Sequence, residues 1–376
     1  MKIAHVVTWL AAGNPFGGPV TVAMNQTAEL RRRGHEVELF AARPFGRAGR
    51  MTVAPSVATG FAGFRAIPGI GFSGIVSPQL LLAARKIGRS FDVVHIHLAR
   101  DLVTLPMSLA AQSVKVPYFV QTHGMIDRSD RLLAKLIDPL TRSTLANASA
   151  VFALTAEELE ALNEVLPQPL RNATILVNGV DLEAGPTSRA SSRAIDVLFC
   201  SRLHHRKRPT LFAEAALRLV NLGTNARFAL AGPDEGELAE VARIAARAHG
   251  AIAIEGALEP HQARERMSLA DVLVLPSVDE PFPMAVLEAM SRSVPVIITD
   301  TCGLARTVDE HQCGLVVPGD DVNALQSAMA TLIGDHDLRK RMGQNARATV
   351  EQHFSIGHVA DQLEHAYEAS IRPLAV

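Results

Sequence analysis

Cysteine is scarce in this chain. Cys200, Cys302 and Cys313 are odd in number and none belongs to a CxxC pair, so a disulfide framework is not expected. A reduced, cytoplasmic compartment fits that usage best. Surplus charge is missing too: 37 lysines and arginines face 38 acids, a formal net charge of -1. Proteins that work on nucleic acid carry a basic excess, so nucleic acid is not an expected partner. No apolar run reaches the ~20 residues that a membrane span needs. Peripheral contact, at the inner face of the cell membrane, stays open. The opening "MKIAHVVTWLAAG" is interrupted by His5 and leads into "NPFGGP" without a cleavage site, so it reads as a buried strand rather than a signal peptide. Low-complexity tracts and repeats of about 20–50 residues are absent.

What is present is an α/β alternation. At 376 residues the chain is long for one core, and two domains are the natural prior. Short apolar runs read as strands in the first half: "KIAHVVTWL", "EVELFAA", "DVVHIHL", "PYFVQTH", "AVFALT" and "ATILVNG". Between them "PVTVAMNQTAELRRRG", "PQLLLAARKIGRS" and "AEELEALNEV" have helical period. "DLEAGPTSRASSRA" breaks the pattern, and a second series follows: "DVLFCS", "ARFALAG", "IAIEG", "DVLVLPS", "PVIITD" and "GLVVPG". The expected organisation is therefore one α/β unit over residues 1–182, a linker over 183–194 and a second unit over 195–354. A helix over 355–376 is expected to pack back on the first unit, and a cleft is expected between the two.

Ligands of open α/β sheets bind beyond the carboxyl ends of the strands, so the loops there carry the search. Adjacent Gly17 and Gly18 in "NPFGGP" permit close backbone approach to an anion ahead of a helix, although a plain tight turn explains them equally well. His123 ends a strand in "QTHGM", and Gly124 lets the chain turn. In "FCSRLHHRKRPT", Arg202 and Lys207 put cations where a diphosphate would lie, whereas His204, His205, Arg206 and Arg208 read better as a solvated turn. In "DEPFPMAVLEAM", Pro283 suits the first turn of a helix, and the amides of Met284, Ala285 and Val286 are free for an anion. Glu280 ahead of that turn and Glu288 inside the helix suit hydroxyls on either side of a diphosphate. That combination describes a nucleotide sugar.

With those residues assembled, the chain resembles the retaining GT-B glycosyltransferases of family 4. The resemblance covers nearly the whole length and rests on the order of "FGGP", "THG", "NGVD", "SRLHHRK", "EPFPMAVLE", "PVIITD" and "GLVVPGDD". It implies two Rossmann-like domains, an acceptor-binding one followed by a nucleotide-sugar-binding one. It also implies transfer from a UDP-sugar or GDP-sugar to a hydroxyl of a glycan, a lipid-linked glycan or a small molecule, without a metal cofactor. Carried over by position, Gly17 and Gly18 bring backbone to the diphosphate, and Arg202 and Lys207 neutralise it. Phe282 and Pro283 belong to the donor stretch, Met284 and Ala285 hold phosphate through their amides, and Glu288 holds the ribose. Glu280 contacts the sugar, His123 lies beside it, and the turn at Gly256 and Ala257 meets the base. Two positions depart from the family's habit: Ser201 replaces a glycine before Arg202, and Pro283 stands where glycine is commoner. "THGMID" is similar to enzymes that build bacterial surface polysaccharides.

Four other motifs invite different readings. "GIGFSG" satisfies the dinucleotide fingerprint, but Pro68 precedes it and no strand-ending acid follows at ~20 residues, so a dehydrogenase is disfavoured. His95 and His97 share a strand face and Glu310, His311 and Cys313 cluster in "DEHQC", yet neither group has further ligands, and no metal site is expected. "DRLLAKLIDPLTRSTL" reads as a helix covering the sheet rather than one lying on a membrane.

Overall fold

The computed structural model describes residues 1–10, 18–44, 49–53, 56–66, 71–129, 132–182 and 194–371. The chain divides into two compact units, residues 1–179 with 356–376, and residues 180–355.

The first unit begins with β1 (Lys2–Trp9), α1 (Gly18–Arg32), β2 (Glu36–Pro44), β3 (Gly49–Val53), β4 (Ser56–Arg65) and β5 (Ile75–Val76). It continues with α2 (Pro78–Ser90), β6 (Val93–His97), α3 (Thr104–Val114), β7 (Tyr118–Gln121), α4 (Leu132–Ala146), β8 (Ala150–Ala153), α5 (Ala156–Val165) and β9 (Ala173–Ile175). The strand order is β3-β4-β2-β1-β6-β7-β8-β9, with β5 attached to β4. Only β3 and β5 run antiparallel to their partner β4. The chain goes one way from β1 and the other way from β6, which makes the gap between those strands the switch point where α/β sheets bind ligands.

Period-two alternation assigns the two faces of this sheet. Ala4, Val6, Val94, Ile96 and Val120 face a core shared with Leu80 and Ile87 of α2, Leu105 of α3, Leu145 of α4 and Leu162 of α5. Ile3, Val93, Phe119 and Phe152 face the other core, where α1 gives Leu30. The residues between them on that second face are His5, His95, His97 and Gln121, all buried.

The second unit comprises β10 (Ile195–Cys200), α6 (Pro209–Asn221), β11 (Ala226–Ala231), α7 (Leu238–Ala245), β12 (Ile252–Gly256), α8 (Pro260–Leu269), β13 (Val272–Leu275) and α9 (Met284–Met290). It ends with β14 (Val296–Thr299), α10 (Ala305–Glu310), β15 (Gly314–Val317), α11 (Val322–Gly334) and α12 (His336–Thr349). Its sheet is parallel, in the order β12-β11-β10-β13-β14-β15. Near-continuous apolar strands such as "VLVL" and "VIIT" are buried at every position, as a sheet covered on both faces requires. The switch point falls between β10 and β13.

The last helix, α13 (Ile356–Ile371), returns to the first unit as expected. It buries Ile356, Val359, Leu363 and Tyr367 against the α1 face of the sheet. Fully burying one such side chain contributes about 1.5–3 kcal/mol. Arg33 at the end of α1 fixes its position by pairing with Glu29, Asp361 and Glu364 and donating to the Gly357 carbonyl.

Candidate active site

In the second unit the loops after β10 and β13 flank the switch point, and close backbone contacts hold them. Gly303 donates its amide to the Glu280 carbonyl at 2.9 Å, and a Cβ at Gly303 would lie 1.9 Å from the Pro281 oxygen. Only glycine permits that approach. Val278 donates its amide to the Arg206 carbonyl at 2.9 Å, and the Arg206 guanidinium returns a bond to the Asp279 carbonyl. Arg206 therefore ties the two loops together, and Arg208 reaches across to the Gly319 carbonyl and Asp320. In the sequence both read as solvated turn residues. A cation holding a distant carbonyl leaves no local trace in a sequence.

Lys207 and Glu280 form an ion pair through Nζ and Oε2, with side chains 12% and 19% exposed. Two residues assigned separate roles, diphosphate and sugar, thus touch each other. Arg202 pairs with Glu235 at 2.9 Å in a more exposed setting. Pro283 is the N-cap of α9, one residue ahead of the first-turn position expected for it. The amides of Val286 and Leu287 bond to the Pro283 carbonyl, so Met284 and Ala285 precede the first amide that finds a helical acceptor. Glu288 is half-buried on α9. Phe282 is buried against Phe354 and serves packing. Gly256 has φ 75° and accepts the Gly232 amide through its carbonyl at 2.7 Å. Ala257 follows it in an exposed turn. Burial pushes the thiols of Cys200 and Cys302 up to about 12, so neither is a thiolate nucleophile near neutral pH.

In the first unit His123 lies just beyond β7 in the left-handed region at φ 54°, followed by Gly124 at φ 69°. The buried carboxylate of Glu158 holds this turn by accepting from the Thr122 hydroxyl and the amides of Gly124 and Leu154. Glu158 also sits in the first turn of α5, where an anion suits the helix dipole. Sequence reasoning missed it because Glu158 reads as an ordinary early-helix acid. Gly18 opens α1, and a Cβ there would meet nothing within 4 Å. Gly17 and residues 67–70, which include the first two residues of "GIGFSG", lie outside the described residues. Among the described residues no group of three or more His, Cys, Asp or Glu could hold a metal ion, and no helix is long and apolar enough to cross a membrane.

Two units built on mainly parallel sheets, each with its switch-point loops at the strand ends, make up the GT-B fold, and the matches below make the chain a glycosyltransferase. The chain carries two glycosyltransferase domains: the glycosyl transferases group 1 family matches residues 186–349, and the glycosyl transferase 4-like domain matches residues 17–179. It is 27% identical to a D-inositol 3-phosphate glycosyltransferase of Nocardia farcinica, over 94% of this chain and 85% of that one. It is 25% identical to an alpha-D-kanosaminyltransferase of Streptomyces kanamyceticus, over 69% and 72% respectively. Among solved structures, HepE from Anabaena in complex with UDP superposes with a TM-score of 0.75 at 15% identity, covering 98% of this chain and 100% of that one. Sucrose-phosphate synthase from Thermosynechococcus elongatus gives 0.71 at 20% identity, covering 98% of each.

Proposed function

We propose that this glycosyltransferase moves a sugar from a nucleoside-diphosphate sugar to an acceptor hydroxyl with retention of anomeric configuration, in bacterial polysaccharide or glycoconjugate synthesis. The observation that carries the reading is the Lys207–Glu280 pair beside the start of α9, at the switch point of the second sheet. HepE was solved with UDP and with UDP-glucose, which supports UDP as the carrier. In this reading Lys207, Arg202 and the amides of Met284 and Ala285 neutralise the departing diphosphate, while Glu288 accepts from the ribose hydroxyls. Glu280 and His123 contact the sugar, Gly17 and Gly18 bring backbone to the diphosphate, and Gly256 and Ala257 meet the base. The acceptor is attacked on the face the nucleotide leaves, with a phosphate oxygen taking its proton. Release of UDP from UDP-sugar only when acceptor is added tests the transfer itself.

Metal is not required, because two side-chain cations and backbone amides supply the positive charge that a divalent ion would otherwise give. Activity is expected to persist in EDTA. Complete loss restored by Mn²⁺ or Mg²⁺ would overturn this assignment.

The ion pair refines how the two glutamates divide the donor. Glu288→Ala is expected to weaken UDP binding by roughly 1.5–3 kcal/mol, the worth of a hydrogen bond to a charged group. Glu280→Gln should bind UDP at least as tightly as wild type, because Lys207 no longer has a competing carboxylate. Its loss should appear only with intact donor and in turnover. Calorimetry with UDP decides: equal losses in the two variants would defeat the division.

Peripheral membrane contact finds support in the α2–α5 layer. Neither α2 nor α3 contains an acidic residue, and α2 exposes Leu81, Leu82, Arg85, Lys86 and Arg89. Leu109 and Lys115 are exposed at α3, whereas α5 exposes Glu157, Glu160 and Glu164. A leucine-and-arginine face bounded by an acidic helix suits an anionic bilayer. The protein is expected to sediment with phosphatidylglycerol vesicles and not with phosphatidylcholine ones. Arg85→Glu with Lys86→Glu should abolish the difference.

A further inference from the structure

A row of imidazoles runs beneath α1 and α13 and ends at His123. His5 on β1 stands opposite His95 in the parallel register with β6, and their rings stack with centroids 4.6 Å apart. His95 and His97 stack at 4.8 Å, and His97 and His123 at 5.1 Å. Two ring-to-ring hydrogen bonds lie within the row: His5 Nδ1 to His97 Nε2 at 3.1 Å, and His97 Nδ1 to His123 Nε2 at 2.8 Å. His95 is bound separately, through Nδ1, to the Tyr367 hydroxyl. His5, His95 and His97 are at most 1% exposed.

The wiring of the hydrogen-bonded trio has only two solutions. Burial lowers the proton affinity of all three rings, His5 to about 3 with help from the charge of Arg31, so each is neutral near pH 7. A neutral imidazole carries one N–H and one bare nitrogen. His97 uses both nitrogens, so it must donate from one and accept at the other. Its neighbours are then fixed in the same direction. In the first solution His5 donates from Nδ1 to His97, and His97 donates from Nδ1 to His123, leaving the His123 proton on Nδ1. In the second every proton is reversed, and His5 carries its N–H on Nε2. That atom is buried and has no hydrogen-bond partner among the described residues. A buried N–H without an acceptor is the rarer and costlier orphan, at about 1–3 kcal/mol. The first solution therefore wins.

We propose that the His5–His97 pair fixes His123 in the Nδ1–H tautomer, so that His123 meets its ligand as a neutral hydrogen-bond donor and not as a base. His97 and His5 are positioning residues in this scheme. The ligand chemistry suited to such a donor is a sugar hydroxyl oxygen, which rests on the glycosyl-transfer reading above. The wiring itself does not rest on that reading.

The test is imidazole ¹⁵N NMR on the full chain without ligand, with the His123 signals among the fourteen histidines assigned by their loss in His123→Asn. Wild type should show protonated Nδ1 and bare Nε2 at His123, and His97→Asn, which keeps a side-chain N–H donor, should preserve it. His97→Leu should release His123 to the Nε2–H form, with turnover falling roughly tenfold, the worth of ~1.4 kcal/mol. Should His97→Leu fail to fold, His5→Phe reads the same coupling from two rings away. An Nε2–H tautomer in wild type would overturn the proposal, as would an unchanged tautomer in folded His97→Leu. Because the spectra need no substrate, they stand whether or not UDP-sugar proves to be the donor.

Discussion

Lys207→Ala should lower kcat by roughly 30–1000-fold, the ~2–4 kcal/mol that follows loss of one donor to a developing negative charge. The charge on the diphosphate grows as the glycosidic bond breaks, so the contact is worth most in the transition state. KM should move less than kcat for that reason. The ion pair with Glu280 adds a second consequence. Removing Lys207 leaves a carboxylate that is 19% exposed without its partner, and such orphaned charges destabilise the fold. A folding defect must therefore be separated from a catalytic one. Lys207→Ala combined with Glu280→Gln removes the stranded charge and should regain melting temperature without regaining turnover. Turnover of the double variant equal to that of Glu280→Gln alone would mean that Lys207 serves the fold alone, and near-normal kcat in Lys207→Ala would remove it from the reaction.

That coupling separates what was legible in the sequence from what was not. Strands such as "VLVL" and "VIIT", and the helices α2 and α5, were readable because apolar runs and helical period are local properties. β3 and β4 escaped notice because "SVATGFAGFR" is built from alanine, glycine and threonine as much as from branched residues, and α3 escaped because Pro106 stands inside it. The order of loops around the second switch point was readable once the family's motifs were aligned in sequence. Contacts across that point were not. Lys207 and Glu280 are 73 residues apart, and nothing local in either stretch announces the other. The histidine row lies between these cases. His95 and His97 were visible as one strand face, and His5 occupies the matching place in "KIAHVV", but pairing β1 with β6 needs the sheet order.

Acidification should destabilise the first unit by roughly 5–6 kcal/mol between pH 7.5 and pH 5.5. His5, His95, His97 and His123 are neutral in the folded protein, their proton affinities held far below the ordinary 6.5 by burial first, then by Arg31 at His5 and by neighbouring imidazoles at His95 and His97. In the unfolded chain they regain that ordinary value. Below pH 6.5 the unfolded state therefore binds protons that the folded state refuses, and stability falls as pH falls. Each such group contributes about 1.4 kcal/mol per pH unit below 6.5, and the four together reach the figure above by pH 5.5. The effect is fully absent above about pH 7.5 and continues to grow towards pH 3, where His5 itself begins to charge. The chain has one tryptophan, Trp9, at the end of β1, so its fluorescence reports the first unit alone. Urea titrations read at Trp9 should show the midpoint dropping steeply across this range. In His95→Phe, whose ring can still stack on Phe152, the slope should lessen by the share of one proton. A Trp9 midpoint that stays constant from pH 7.5 to 5.5 would mean that the row takes up protons in the folded state as readily as in the unfolded one. The directional wiring that fixes His123 would then be lost below about pH 6.5, because a charged imidazole donates from both nitrogens.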